Sequence, residues 1–390
     1  MLISGVGIAG PTLAYWLERY GFVPTLVECA LALRTGGYVV DFWGLGYDIA
    51  EMMGLLPDIA GVGYRLRELR IVGNDGRWVA GFNAEVFRDL TGGRYITLGR
   101  SDLSRLIRDR ISGSCEFIFG DSIVGLRQGD DGVHVEFERG GKRRFDFVVG
   151  ADGLHFRVRS LVFGSQDRYE KDLGYRVAAF EAAGYRPRDD LVYVLHGAPG
   201  RQVGRFSLRD DRTLFLFIFA DQGEPAAHGV AAQKARLRET FADDGWELPR
   251  ILAALDTCDD LYFDRVSQIR MDAWSRGSVA LLGDAVACVS LLAGQGTALA
   301  MVEAYVLAGE LAASQGRPQE AFRRYEDRLR PFLRAKQRAA ERFATALVPR
   351  TRLGLSFRNQ VMRTFRIPAL ARIAIGRDIR DEMELPRYGP

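Results

Sequence analysis

Three short glycine-rich stretches, with the charged residues beside them, are the parts of this 390-residue chain whose types and spacing could do chemistry. The first is Gly5-Val6-Gly7-Ile8-Ala9-Gly10, set between an apolar run at residues 2–4 and a helical pattern from Pro11 to Tyr20. Glycine at Gly5, Gly7 and Gly10 provides a tight turn, close backbone approach to a pyrophosphate, and close helix packing. The helix that follows aims its N-terminal N–H groups and the positive end of its dipole at phosphates. Glu28 closes the next strand-like run, TLVE at 25–28, where an acidic side chain accepts ribose hydroxyls. By itself this pattern is that of a dinucleotide site and does not separate FAD from NAD.

Two later stretches bear on that choice. Gly150-Ala151-Asp152-Gly153 follows the apolar run FVV, with Arg157 and Arg159 beyond it, and Gly283-Asp284-Ala285 follows VALL. Both put a carboxylate at the carboxyl end of a strand, where ligands of open α/β sheets bind. An aspartate there can accept the hydroxyls of a ribityl chain, and a nearby arginine can pair with pyrophosphate. An ordinary turn uses the same residues, so neither stretch decides alone. Gly294-Gln295-Gly296 then opens a helix running through Met301 to Glu310, whose free N–H groups suit the negative edge of a reduced flavin.

The elements needed to position these turns follow from the rest of the chain. Its length suggests two or three domains, and its 47% hydrophobic and 26% charged residues are ordinary for globular proteins. Cys29, Cys115, Cys258 and Cys288 are far apart, which argues against a dithiol center, a disulfide scaffold or a zinc site; no metal is expected. The N-terminus lacks a basic n-region, and no uninterrupted apolar run reaches the roughly 18 residues of a spanning helix, so a cytoplasmic location without a membrane span is expected. Residues 172–220 contain LVYVLHG, GRFSLRD and TLFLFIFA, strands joined by turn residues that suggest an antiparallel sheet in its own domain. Residues 295–345 are helical in pattern, broken at Gly316–Pro318. The net charge of +3 is uneven, since residues 323–380 hold 16 Arg/Lys against 4 Asp/Glu. Wet helix faces account for that excess better than nucleic acid, and no nucleic-acid partner is expected, although these arginines could also steer NADPH phosphates.

Taken together, GVGIAG with Glu28, GADG with Arg157, and GDA followed by AGQG resemble the three fingerprints of the single-component FAD-dependent aromatic hydroxylases, whose best-known fold is that of p-hydroxybenzoate hydroxylase. GGYVVDFWGLGYDIAEMMGL (36–55) and LGRSDLSRLI (98–107) are similar to the branch with the tetracycline-inactivating monooxygenases. The resemblance covers roughly residues 1–345. It implies an α/β fold: a Rossmann-like βαβ FAD-binding domain, an antiparallel-sheet substrate domain, and a C-terminal bridging helix. The FAD-binding domain would be discontinuous (1–75, 95–165 and 270–318), the substrate domain would comprise 76–94 and 166–269, and 319–390 would form a C-terminal helical segment. Carried over by position, Gly5, Gly7, Gly10 and Glu28 hold the ADP half of FAD. Arg100 and Asp284 hold the pyrophosphate and ribityl parts, Gly294, Gln295 and Gly296 line the flavin ring, and Asp152 and Arg157 serve the flavin and, transiently, NAD(P)H. Asp41 falls in the strand that the family threads beside the flavin, where a carboxylate would orient substrate or tune the flavin. Two departures stand out: Val286 to Leu292 replace the usual histidine and proline pair after GDA, and His155 stands where the second motif usually has a small residue.

The activity implied is hydroxylation of an aromatic or polyketide-like small molecule, using NADPH or NADH and dioxygen through a flavin C4a-hydroperoxide, in secondary metabolism or xenobiotic modification. Such chemistry needs an apolar pocket with a few polar groups. Phe42, Trp43, Phe206, Phe215, Phe217 and Phe219 are candidate walls, and His196 and Arg205 could touch a phenolate or an acid; plain packing and a solvated loop are the alternatives. No second GxGxxG is present, which fits this family and equally fits a partner flavin or NAD(P)H reductase. A Baeyer–Villiger or epoxidising oxygenase of the same fold, and a non-catalytic FAD-binding scaffold, remain open. A halogenase is disfavored because no two tryptophans lie two residues apart.

Overall fold

The computed structural model describes residues 1–33, 38–111, 113–154, 157–221, 223, 227–315, 317–367, 381 and 383–389. His155 and Gly316 lie outside these residues. Strand β1 (Leu2–Ser4) sits inside a six-stranded sheet in the order Ser275–Arg276, Val279–Leu281, Val148–Gly150, β1, β2 (Thr25–Glu28), Glu116–Phe119. All neighbors run parallel except the outermost pair at 275–281. The central strands are covered on both faces, which is why each reads as an uninterrupted apolar run. Helix α1 (Ala9–Arg19) and the helix Gly296–Ala313 pack together over this layer, with Trp16 edge-on to Tyr305 at 4.9 Å.

The second layer is a seven-stranded sheet in the order Tyr262–Ile269, Glu170–Ala183, Arg212–Ala220, Arg201–Ser207, Val192–Ala198, Glu68–Val72, Trp78–Asn83. It is antiparallel but for one pair: Val192–Ala198 runs parallel to Glu68–Val72. The expected antiparallel sheet is therefore mixed. Glu68–Val72, expected within the 1–75 segment of the first domain, is a strand of the second, because its apolar face joins Ala80 and Leu195 in a small core. Helices Val230–Phe241 and Leu248–Asp256 cover one face of this sheet. The opposite face looks onto strand β3 (Val39–Trp43), which pairs antiparallel with Tyr95–Gly99 and leads into helix α2 (Leu45–Met52). A three-stranded sheet at 123–145 flanks the first layer.

The helix Pro318–Leu347 carries much of the basic excess, and Arg323, Arg324, Arg328, Arg330 and Arg334 all have carboxylate partners. A shorter helix, Arg352–Thr364, follows, and Val361, Met362 and Phe365 near its end pack on Phe82 and Val86 at the sheet edge. The described part of the chain beyond it returns to the first layer. There the Asp381 carboxylate accepts the Leu45 amide at 2.8 Å and pairs with Lys336 at 2.6 Å, while Tyr388 covers Gly309 so closely that any Cβ there would lie 2.1 Å from the ring. Gly296–Ala313 is long and apolar enough to cross a membrane, but 83% of it is buried inside the fold.

Candidate active site

The three glycine turns meet at the carboxyl ends of the adjacent strands Val279–Leu281, Val148–Gly150 and β1. Gly5 has φ of +110°, and a Cβ there would stand 2.4 Å from the Ala151 carbonyl; at Gly10 it would stand 2.1 Å from the Gly5 carbonyl. These two glycines are therefore obligatory for bringing strand, helix and second turn together. Gly7 differs, because the nearest group to a Cβ there is a guanidinium nitrogen of Arg100 at 3.6 Å. Its backbone faces an open cradle overlooked by one cation, as a pyrophosphate would require. Glu28 closes the turn from the side, accepting the Val6 amide at 2.9 Å and the Ala30 amide at 3.0 Å.

Arg100 also reaches the third turn, where burial pushes the Asp284 carboxyl up and the Arg100 charge opposes that shift. A Cβ on Gly296 would lie 3.7 Å from Asp284 Oδ1, so the carboxylate stands at the start of the helix 296–313. Behind it the buried Glu303 accepts the Gly283 amide at 2.8 Å and the Tyr325 hydroxyl at 3.0 Å, and burial raises its carboxyl to about 8. Asp152 accepts the Ser4 hydroxyl at 3.2 Å on Oδ2, while its Oδ1 is buried with no partner among the described residues, and burial lifts this carboxyl to about 6. An orphaned acceptor facing a glycine cradle is the feature expected where ligand hydroxyls complete the site. Arg157 is exposed on the first turn of its helix, whereas Arg159 is buried and donates to the Ala285 and Leu154 carbonyls at 3.0 Å each. Arg159 thus ties the second turn to the third, a role hidden in sequence by its similarity to Arg157.

The segment Val286 to Leu292, which lacks the prolines, is held by side chains from elsewhere. Gln268 donates to the Val289 carbonyl at 2.9 Å, and Gln337 donates to the Cys288 and Ile269 carbonyls at 3.0 and 2.7 Å. Both glutamines are buried, and the Cys288 thiol donates to the Ser267 carbonyl at 3.6 Å. Hydrogen bonds from two distant elements thus fix this loop, which one sequence window does not reveal.

Between this turn and the seven-stranded sheet lies a cleft. Asp41 and Trp43 face it from β3; Asp41 Oδ1 accepts the Tyr95 hydroxyl at 2.7 Å and the Thr97 hydroxyl at 2.6 Å, and burial raises the Asp41 carboxyl. The Trp43 ring lies within 3.9 Å of a Cβ placed on Gly294, and its indole nitrogen is buried without a partner among the described residues. Tyr193 and Leu216 reach the cleft from the sheet, Phe206 and Leu214 on the same face are fully buried in the packing, and Tyr38 and Tyr262 close it at 5.5 Å between ring centroids. Tyr38, Tyr193 and Tyr262 keep accessible surface although burial pushes each phenol up, as befits walls of an enclosed cleft.

Several expected wall residues lie elsewhere. Phe42 alternates away from Asp41 and Trp43 into the core of the first layer. Phe215, Phe217 and Phe219 all point to the far side of the sheet, under helices 230–241 and 248–256, while Leu214 and Leu216 take the cleft side. Arg205 faces away from the adjacent Phe206 and is paired with Asp189 and Glu247. His196 is buried, with Nδ1 3.3 Å from the Val72 carbonyl and its ring against Trp246, and burial lowers its pKa. Tyr38, Tyr95, Thr97, Tyr193 and Tyr262 take the places these residues leave.

Comparison with known proteins agrees with this geometry. Residues 1–340 match the family described as FAD binding domain. The chain is 38% identical over 348 residues to an uncharacterized protein of Mycobacterium tuberculosis, covering 86% of this chain and 91% of that one. It is 36% identical over 341 residues to a flavin-dependent monooxygenase of an unknown prokaryotic organism, covering 86% and 87%. The crystal structure of tetracycline destructase Tet(55) superposes with a TM-score of 0.85 at 32% identity, covering 99% of this chain and 98% of that one.

Proposed function

The chain belongs to the FAD-binding-domain family as a flavin-dependent monooxygenase, and from that premise we propose that it uses NAD(P)H and dioxygen to hydroxylate an aromatic or polyketide-like small molecule. The observation that carries the reading is the tyrosine-rich cleft beside the Gly294–Gly296 turn, with the Asp41 carboxyl on its β3 side. A ring-system substrate is in keeping with the similarity to a tetracycline destructase.

Bound FAD would supply the redox chemistry and oxygen activation. Arg100 and the Gly5–Gly10 amides would hold the pyrophosphate, Glu28 the ribose, and Asp152 and Asp284 the remaining hydroxyls. The amides at Gly294 to Gly296, heading an 18-residue helix, would stabilise negative charge on the flavin edge. The aromatic walls keep water from the reacting atoms, and Asp41 orients the ring to be oxidised.

The test is to follow the visible flavin spectrum of purified protein anaerobically as NADPH is added, with and without a panel of polycyclic phenols. Bleaching that one ligand accelerates supports the reading. Bound flavin that stays oxidised with every ligand removes self-sufficient turnover and points to a partner reductase.

A further inference from the structure

Much of the arginine excess toward the C-terminus is spread over separate ion pairs, but at one place it converges. A cavity of about 350 Å³ lies between the helix Pro318–Leu347 and the chain leaving the strand Tyr262–Ile269, and its charged lining is Arg270, Arg330, Arg334, Arg338 and Asp272. That volume is at the small end of ligand sites. Val286 and Ala287, directly after the Asp284 turn, form its back wall. Arg330, Arg334 and Arg338 stand four residues apart on one stripe of the helix, where like charges repel, and Arg270 faces them.

The carboxylates within reach do not balance these charges. Asp272 accepts from Arg334 at 2.8 Å with its own side chain fully exposed, Glu326 pairs with Arg330, and Glu341 is shared by Arg270 and by Lys171 at 2.9 Å. Glu170, on the adjacent strand, is bonded to Gln166 at 2.7 Å. Arg338 is exposed and bonds no described residue. Among the described residues Arg270, Arg330, Arg334, Arg338 and Lys171 therefore meet only Asp272, Glu326 and Glu341, an excess of two positive charges. Burial and the charges of Arg334 and Arg338 lower the pKa of Arg270, and burial and Arg334 lower that of Arg330 against the pull of Asp272. Donors remain accessible: Arg270 spends Nε and Nη2 on Gln268 and Glu341, Arg334 spends Nη2 on Asp272, and their side chains are 41% and 49% exposed, so Nη1 of each is left to a ligand. Guanidinium forks match phosphate oxygens, and a phosphomonoester is close to a dianion at neutral pH.

We propose that this cavity is a binding site for the dianionic phosphate group of a small phosphorylated molecule, held between Arg270 and the Arg334–Arg338 edge of the helix beside the loop Val286 to Leu292. The group can belong to a free phosphorylated compound or to the phosphorylated ribose of NADPH; only the second source rests on the monooxygenase reading.

The experiment titrates FAD-loaded protein, whose FAD cradle is filled, with inorganic phosphate, pyrophosphate, adenosine 2′,5′-bisphosphate and acetate by calorimetry at constant ionic strength. The phosphate probes should bind and acetate should not. The double variant Arg334→Gln with Arg338→Gln, both exposed positions, should weaken the phosphate probes roughly tenfold or more. Arg323→Gln with Arg324→Gln takes the same charge from the same helix outside the cavity lining and should leave binding unchanged. No binding of any phosphate probe, acetate binding as tightly as phosphate, or an equal loss in the two double variants would overturn the proposal. Bisphosphate bound more tightly than pyrophosphate and displaced by NADPH but not by NADH assigns the site to the dinucleotide, whereas phosphate probes displaced by neither assign it to a free phosphorylated compound. Phosphate binding by a protein whose flavin NADPH never reduces would count against the monooxygenase reading alone.

Discussion

Asp152 has an oxygen without a hydrogen-bond partner among the described residues, and burial of its carboxyl has a signature in pH. Its carboxyl is raised from 3.8 to about 6, so the folded apo protein binds the proton more tightly than the unfolded chain. Stability then falls as pH rises through that window, by up to about 3 kcal/mol, and the loss is complete above it. Asp152→Asn should make the apo protein more stable at pH 7 and no different near pH 3.5, measured by urea unfolding, while weakening FAD. Arg100→Ala should act on FAD in the same direction without the stability gain. Loss of a charged hydrogen bond of about 1.5–3 kcal/mol predicts a dissociation constant roughly 10- to 100-fold higher by flavin fluorescence titration. Gln337→Leu tests the loop instead. It strips partners from two buried carbonyls, so it should lower the melting temperature and, on the proposed activity, divert more consumed NADPH into hydrogen peroxide at unchanged FAD content.

At the level of elements, the glycine turns are legible in the sequence because each is a local device: Gly5 needs its positive φ and Gly10 its missing Cβ whatever the rest of the chain does. The cleft is much less legible. In the strand Arg212–Ala220 both faces are buried, so TLFLFIFA shows no polar alternation to say which side meets the ligand. Phe215, Phe217 and Phe219 share one face and Leu214 and Leu216 the other, and only the helices 230–256 decide that the phenylalanines turn outward. Asp41 is legible through its place beside the turn that precedes α2, whereas its partners Tyr95 and Thr97 lie more than fifty residues away. The C-terminal helices make a further prediction. Arg358 is buried with no carboxylate partner among the described residues, and burial lowers its pKa to about 10. Its charge is met by the carbonyl that ends the 30-residue helix 318–347, the negative end of that helix. Arg358→Met should therefore release the helix Arg352–Thr364, seen as rapid tryptic cleavage between residues 348 and 367 while the rest of the chain resists.

Across the whole molecule, Asp381 and Tyr388 fasten the first layer from outside. They supply the carboxylate for the Leu45 amide, directly after the strand that bears Asp41 and Trp43, and the ring that covers Gly309. Removing residues 381–390 should lower the melting temperature and broaden substrate response more than it weakens FAD, because the three glycine turns keep their own contacts. The arrangement of those turns has another consequence, for how the protein is made. They sit side by side in space but near residues 5, 150 and 283 in the chain, with the second layer threaded between them. A chain emerging from the ribosome therefore completes the pairing of β1 only when Val148–Gly150 arrives, and that strand waits in turn for Val279–Leu281; pairings of such long separation are slow and prone to aggregation. FAD can be captured only late in synthesis, so supply of the cofactor governs the yield of finished protein rather than the start of its folding.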